Sequence, residues 1–321
     1  MEYIKKLAGM GLAAVFAITL TIPVFAQDIK YEQLSSDQIV GDFLVGPGKV
    51  ELELNPGESE TVNVTLSNRM GSEKTFTVVV EDFVGSESTE QPVVLLGDQR
   101  GPYSLQDYLV VPSQEMTVGH TERIVIPITV SVPTDAEPGG RYGSVLFQTK
   151  SESIENGAKP SASIISRIGV LFFVTVPGDL KYEGNVEKFD TAFGKRVYDS
   201  GPIGFEILYR NTGNVHVNPY GRISVRNMFG SEVGAVELDP WFAMPEFLRL
   251  REVTWDRGWL FGKYKAVLSI NKGYDNLVET REVVFYVLPW KPISVAVIIV
   301  AIFIFLLTKI FSTFEIKRKP N

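Results

Sequence analysis

Ile124-Val125-Ile126-Pro127-Ile128-Thr129-Val130-Ser131-Val132 decides the fold class. Apolar side chains fall at every second position, and a period of two places them on one face of an extended strand. Pro127 breaks into the run without changing its parity. Proline has no N–H to give a ladder, so it predicts an edge strand here. The same alternation recurs outward. Val50, Leu52 and Leu54 alternate with Glu51 and Glu53. Val62, Val64 and Leu66 alternate with Thr61, Asn63 and Thr65, and Phe76, Val78 and Val80 continue the pattern. Turn signals at Asn55-Pro56-Gly57 and Arg69-Met70-Gly71 separate the runs. Ile164 to Val176 is strongly apolar, interrupted by Arg167 and Gly169, and reads as a central strand covered on both faces. No comparable stretch shows helical period before residue 290. The pattern is all-β and predicts two immunoglobulin-like β-sandwich domains followed by one transmembrane α-helix.

The second half loosely repeats the first. Phe205, Ile207 and Tyr209 lead into Asn211-Thr212-Gly213-Asn214, as Val62, Val64 and Leu66 lead into Asn68-Arg69-Met70-Gly71. Gly139-Gly140-Arg141-Tyr142 and Gly262-Lys263-Tyr264 each deliver a tyrosine at a strand start, placed to bond a nearby loop backbone as corner tyrosines do. Leu248 and Leu250 share one parity while Val253 and Trp255 share the other, which predicts a β-bulge near Arg251 or Glu252. Trp255 is expected in the core.

The two ends have their own signals. Lys5 and Lys6 precede an uncharged apolar run from Leu7 to Ile22, and Val24-Phe25-Ala26 supplies a cleavage site, so residues 1–26 read as a secretory signal peptide. Residues 290–314 read as a membrane-spanning helix, with Trp290 at one interface and Lys309 near the other. Lys317, Arg318 and Lys319 follow in a basic tail, 315–321. The positive-inside rule places that tail in the cytoplasm and the sandwiches, 27–178 and 179–289, outside the cell membrane. The first holds 10 Lys and Arg against 21 Asp and Glu, the second 14 against 15, so the outer module is acidic and the inner one near neutral.

Composition excludes several function classes. The net charge of −7 opposes nucleic-acid binding, which needs a basic face. The chain has no Cys and only two His, His120 and His216, which removes thiolate chemistry and leaves little for imidazole triads or metal sites. Both histidines read as plain turn or strand residues. Glu81-Asp82 is an acidic pair of the kind a glycosidase uses, but such pairs are expected in an acidic domain. There is no Asp-x-Asp-x-Asp calcium loop and no phosphate loop set between a strand and a helix. The expectation is no catalysis, no metal and no cofactor.

The arrangement resembles the WxL-interacting proteins of Gram-positive bacteria. The resemblance rests on Leu54-Asn55-Pro56-Gly57 with Thr61-Val62-Asn63-Val64-Thr65-Leu66-Ser67-Asn68, and on Leu208-Tyr209-Arg210-Asn211-Thr212-Gly213-Asn214 with Phe261-Gly262-Lys263-Tyr264. It spans most of residues 40–289 and implies a peptidoglycan-binding module, a second binding module and a membrane anchor. It assigns no ligand residue. The reading is a single-pass surface protein that binds cell-wall glycan or a surface protein. The alternative is an envelope assembly chaperone or scaffold that uses an exposed sheet edge; an envelope hydrolase ranks below both. The candidate binding residues are Trp241, in the loop Asp239-Pro240-Trp241-Phe242, and Trp259, after the turn Asp256-Arg257-Gly258, with Arg249 and Arg251 two apart on one strand face. Exposed rings beside arginine are enriched at protein interfaces.

Overall fold

The structure, a computed structural model, describes residues 28–34, 39–88, 90–149 and 165–313. The signal peptide expected at 1–26 and the basic tail at 315–321 lie outside these residues. The strands before residue 178 are β1 (Lys30–Gln33), β2 (Phe43–Gly46), β3 (Lys49–Glu53), β4 (Ser59–Asn68), β5 (Lys74–Gly85), β6 (Val93–Leu95), β7 (Leu109–Val110), β8 (Glu115–Val118), β9 (Glu122–Ser131), β10 (Gly139–Thr149) and β11 (Arg167–Val176). Those after it are β12 (Gly184–Thr191), β13 (Val197–Tyr198), β14 (Ile203–Asn211), β15 (Tyr220–Asn227), β16 (Glu232–Leu238), β17 (Leu248–Trp255), β18 (Gly262–Asn271) and β19 (Val278–Val287). A helix, α1 (Trp290–Thr313), ends the described chain.

The N-terminal strands form two facing sheets. One runs β1-β9-β4-β2 with β7 also on β9; the other runs β3-β11-β10-β5-β6 with β8 also on β5. The alternating residues meet between them. Ile124, Ile126, Ile128 and Val130 of β9 and Val64 and Leu66 of β4 share one core cluster with Phe76, Phe147 and Phe172, all fully buried. Each such side chain contributes about 1.5–3 kcal/mol. β9 is central, not an edge. β1 pairs with residues 122–125 and β7 with 129–130, and Pro127 falls in the gap between them, where no ladder N–H is required.

The C-terminal strands repeat the plan, with β12-β14-β17 facing β13-β19-β18-β15-β16 around a separate cluster that includes Trp255, Phe205 and Phe285. No bulge occurs at Arg251. The β14–β17 register runs unbroken from Ile203↔Trp255 to Arg210↔Leu248, so Arg249 and Arg251 share the face of Val253 and Trp255. Bulges fall instead at Val186/Lys188 in β12 and Val225/Arg226 in β15.

The sequence repeat has a side-chain basis. Asn68 ends β4, Asn211 ends β14, and both are fully buried. Asn68 donates Nδ2 to Ser72 O at 2.9 Å and Val118 O at 2.8 Å, and its Oδ1 accepts from Met70 N at 2.9 Å. Asn211 donates to Val215 O at 2.8 Å and Ala243 O at 2.9 Å, and accepts from Gly213 N at 2.9 Å. One asparagine thus closes its own turn and ties it to a neighbouring segment, twice in the chain. The tyrosines differ. Tyr264 Oη accepts from Phe261 N at 3.1 Å within its own loop. Tyr142 Oη accepts from His216 N at 2.7 Å, in the other half.

Candidate functional site

The halves meet in a seam built of rings. Phe173 is fully buried, with ring centroids 5.3 Å from Phe83, 5.5 Å from Tyr142, 5.0 Å from His216 and 5.1 Å from Phe242. Burial pushes the Tyr142 hydroxyl pKa up. Beside the rings, Glu51 accepts from Lys49 Nζ at 2.9 Å and Asn218 Nδ2 at 3.1 Å, and His216 Nε2 lies 3.3 Å away. These contacts, His216 foremost and then Lys49 and Asn218, hold the Glu51 carboxyl well below the usual carboxylate range.

The sign of the pH effect follows. A carboxyl depressed in the folded state adds stability above its unfolded value, 4.5, and loses it as pH falls toward the folded value. The stability difference between wild type and Glu51→Gln is therefore expected to be constant above about pH 5 and to shrink below it. Thermal unfolding across that range measures it, and a difference that grows on acidification would reverse the assignment.

The acidic pair and the histidines are occupied by structure. Asp82, fully buried, accepts the N–H groups of Gly101, Leu105 and Gln106 at 2.9–3.0 Å and so shapes that loop. Glu81 accepts from Gly97 N and pairs with Arg167. His120 Nδ1 accepts from Gly71 N at 3.1 Å. His216 lies not in a strand but in the connection between β14 and β15, and there it joins the halves. Among the described residues no three His, Asp or Glu gather as a metal site.

The four expected binding residues separate. Trp241 is 6% exposed and belongs to the C-terminal core, so its loop folds inward, Phe242 packing on Phe173. Trp241→Ala is a core truncation and would lower stability rather than report on a surface. Arg249 is 8% exposed and donates Nη1 to Ser88 O across the seam; burial, then Arg251, lowers its pKa. Arg251 lies with its guanidinium carbon 5.9 Å from the Trp241 ring centroid. Trp241 Nε1, Arg249 Nε and Arg251 Nε are buried without a hydrogen-bond partner among the described residues. Only Trp259, 84% exposed, presents its ring to solvent, and it stands apart from the other three at the end where α1 leaves.

The open polar surface is a strand edge. After β2, the chain crosses at Gly46-Pro47-Gly48 from the β4 sheet to the β11 sheet. β3 pairs with β11 at Leu171–Thr175, so among the described residues β11 has no partner on that side from Arg167 to Val170. Leu171 N donates to Gly48 O at 3.1 Å, while Thr149 N of β10 reaches Ser166 O at 3.1 Å. Residues two apart in a strand point their backbone groups the same way. Gly169 and Arg167 therefore turn their N–H and C=O groups to the uncovered side. Leu44 of β2, the outer strand of the facing sheet, and Ile165 are 46% and 55% exposed. Arg167 was legible in the sequence only as an interruption; the Gly-Pro-Gly between two short strands was the available signal of a crossing.

No protein-family model matches this chain, and no curated protein matches it. Solved structures align with much of the chain at low scores. The class 5 fimbriae chaperone CfaA is 14% identical with a TM-score of 0.36, over 77% of this chain and 100% of that one. The YadV chaperone is 10% identical with a TM-score of 0.35, over 76% and 100%. A Salmonella enterica structure of the SafA pilin with the SafB chaperone gives 10% identity and a TM-score of 0.34, over 80% and 100%. At this level of likeness none of their binding properties transfers to this chain.

Proposed function

We propose that this chain is a non-catalytic, membrane-anchored scaffold or chaperone of the cell surface that takes an extended segment of a partner protein onto the free edge of β11. The supporting observation is the row of outward backbone groups at Arg167 and Gly169, beside exposed Ile165. An unpaired edge of this kind accepts a strand through main-chain hydrogen bonds, and neighbouring apolar side chains set its preference. α1 is long and apolar enough to cross a membrane, and its span from Trp290 to Ile310 is not buried against the sandwiches. Its 24 residues rise about 36 Å. The sandwiches lie outside, on the reading of the flanking charge.

Arg167→Pro tests the edge. Proline at the first residue of a strand removes the outward N–H without touching the β10 ladder. Arg167→Ala loses the same ion pair with Glu81 and serves as the matched control. With the full chain in detergent as bait, Arg167→Pro is expected to release a stoichiometric surface protein that Arg167→Ala retains. If instead both variants bind purified wall glycan and neither captures protein, glycan binding is the function.

A further inference from the structure

The end of the C-terminal sandwich that leads into α1 carries four strongly exposed apolar side chains. β19 ends at Val287 opposite Gly262, the start of β18, and Asn227, the end of β15, pairs with Tyr264. The loop from Asp256 to Phe261 and the turn at Met228-Phe229 therefore lie at that end. A Cβ on Gly262 would sit 3.7 Å from Met228 Sδ, so the two loops adjoin. Trp259 is 84% exposed, Phe229 83%, Phe261 66% and Met228 63%. A groove bounded by Trp259 and Leu260 on one side and Pro289, Lys291 and Pro292 on the other places Trp259 beside the first turn of α1.

The connector leaves little freedom. Only Leu288 and Pro289 separate β19 from α1, a span of at most about 7 Å. Leu288 N donates to Tyr198 O at 2.8 Å, and Lys291 Nζ lies 3.7 Å from Asp199. A helix that enters a bilayer at Trp290 carries this end of the sandwich down to the headgroups. Clustered aromatic and apolar side chains facing water are costly, whereas Trp and Phe are favoured in the boundary between headgroups and acyl chains.

We propose that Trp259, Phe261, Met228 and Phe229 are seated in the lipid headgroup layer, so that the C-terminal sandwich rests on the bilayer through a second, non-helical contact. The inference rests on the reading that α1 spans a membrane, and the experiment separates the two. The chain has no cysteine, so single probes are unique. Gly258→Cys places a fluorophore where an added Cβ meets nothing within 4 Å and leaves all four apolar side chains intact. Ser269→Cys, exposed further up β18, reports the aqueous surface, and Ala301→Cys reports the middle of α1. The full chain is reconstituted in phosphatidylcholine–phosphatidylglycerol vesicles with a nitroxide placed high on the acyl chain or deep.

Deep lipid nitroxide should quench the Ala301 probe, and shallow nitroxide should quench the Gly258 probe about threefold more than the Ser269 probe. Trp259→Ser with Phe261→Ser should bring the Gly258 value down to that of Ser269. Quenching at Ala301 with Gly258 as aqueous as Ser269 overturns the seating and leaves the span intact. An aqueous Ala301 probe overturns both.

Discussion

Asn211→Ala is expected to lower the stability of the C-terminal sandwich by about 3 kcal/mol or more. The side chain is fully buried and makes three hydrogen bonds, to Val215 O, Ala243 O and Gly213 N. Truncation leaves two carbonyls and one N–H without partners, and an unsatisfied buried polar group costs about 1–3 kcal/mol. With the two sandwiches unfolding as one unit, that is a fall of roughly 6–12 °C in Tm. The near-isosteric Asn211→Asp separates hydrogen bonding from packing. It keeps the acceptor for Gly213 N but turns a carboxylate oxygen toward the two carbonyls, so at neutral pH it should be at least as damaging as alanine. Denaturant unfolding measures both. An Asp variant as stable as wild type would mean that the two carbonyls do not depend on the Asn211 amide N–H groups. Asn68→Ala should act alike in the N-terminal sandwich, because it removes the same three bonds from the same kind of turn.

The second large effect is expected at the seam. Phe173→Ala removes the ring that touches Phe83 and Tyr142 on its own side and His216 and Phe242 on the other. Large-to-small changes of a buried aromatic cost about 3–5 kcal/mol. Here part of that cost falls on the coupling between halves. Calorimetry of the wild type should therefore show the two sandwiches unfolding together, and the variant should show two separated transitions. Phe173→Leu should keep most of the coupling, since it refills much of the volume. A single lowered transition in Phe173→Ala would place the residue in one core only and deny it the role of a bridge.

Strands were readable in this sequence because alternation is local. Ile124 to Val132 and Val62 to Leu66 carry their burial in their spacing, and their buried faces are the expected ones. Which strand neighbours which is not local. Pro127 suggested an edge, yet β9 is central, because β1 and β7 approach from distant parts of the chain and leave a gap of matching size. The Asn68 and Asn211 turns were visible as a repeat, but their shared hydrogen-bond plan depends on backbone carbonyls some 30 to 50 residues away. Trp241 misled for a related reason. Asp-Pro-Trp-Phe has the composition of an exposed loop, and nothing in it states that the loop folds onto the other half. Arg249 and Arg251 sit in phase with Val253 and Trp255, so their inward facing was available from parity; long charged side chains made the opposite reading easy. Trp259, beside a turn and just before a strand, presents its ring to solvent.

The seam and the two-residue connector together turn the molecule into a ruler. Strands of ten residues such as β18 and β19 span about 33 Å, and no slack linker stands between them and the helix. If α1 is fixed in a bilayer, the open edge of β11 is carried at one standing height above it. A partner tethered in the same membrane would meet that edge only where its own extended segment rises to the same level. Reach, as well as affinity, would then sort one client from another.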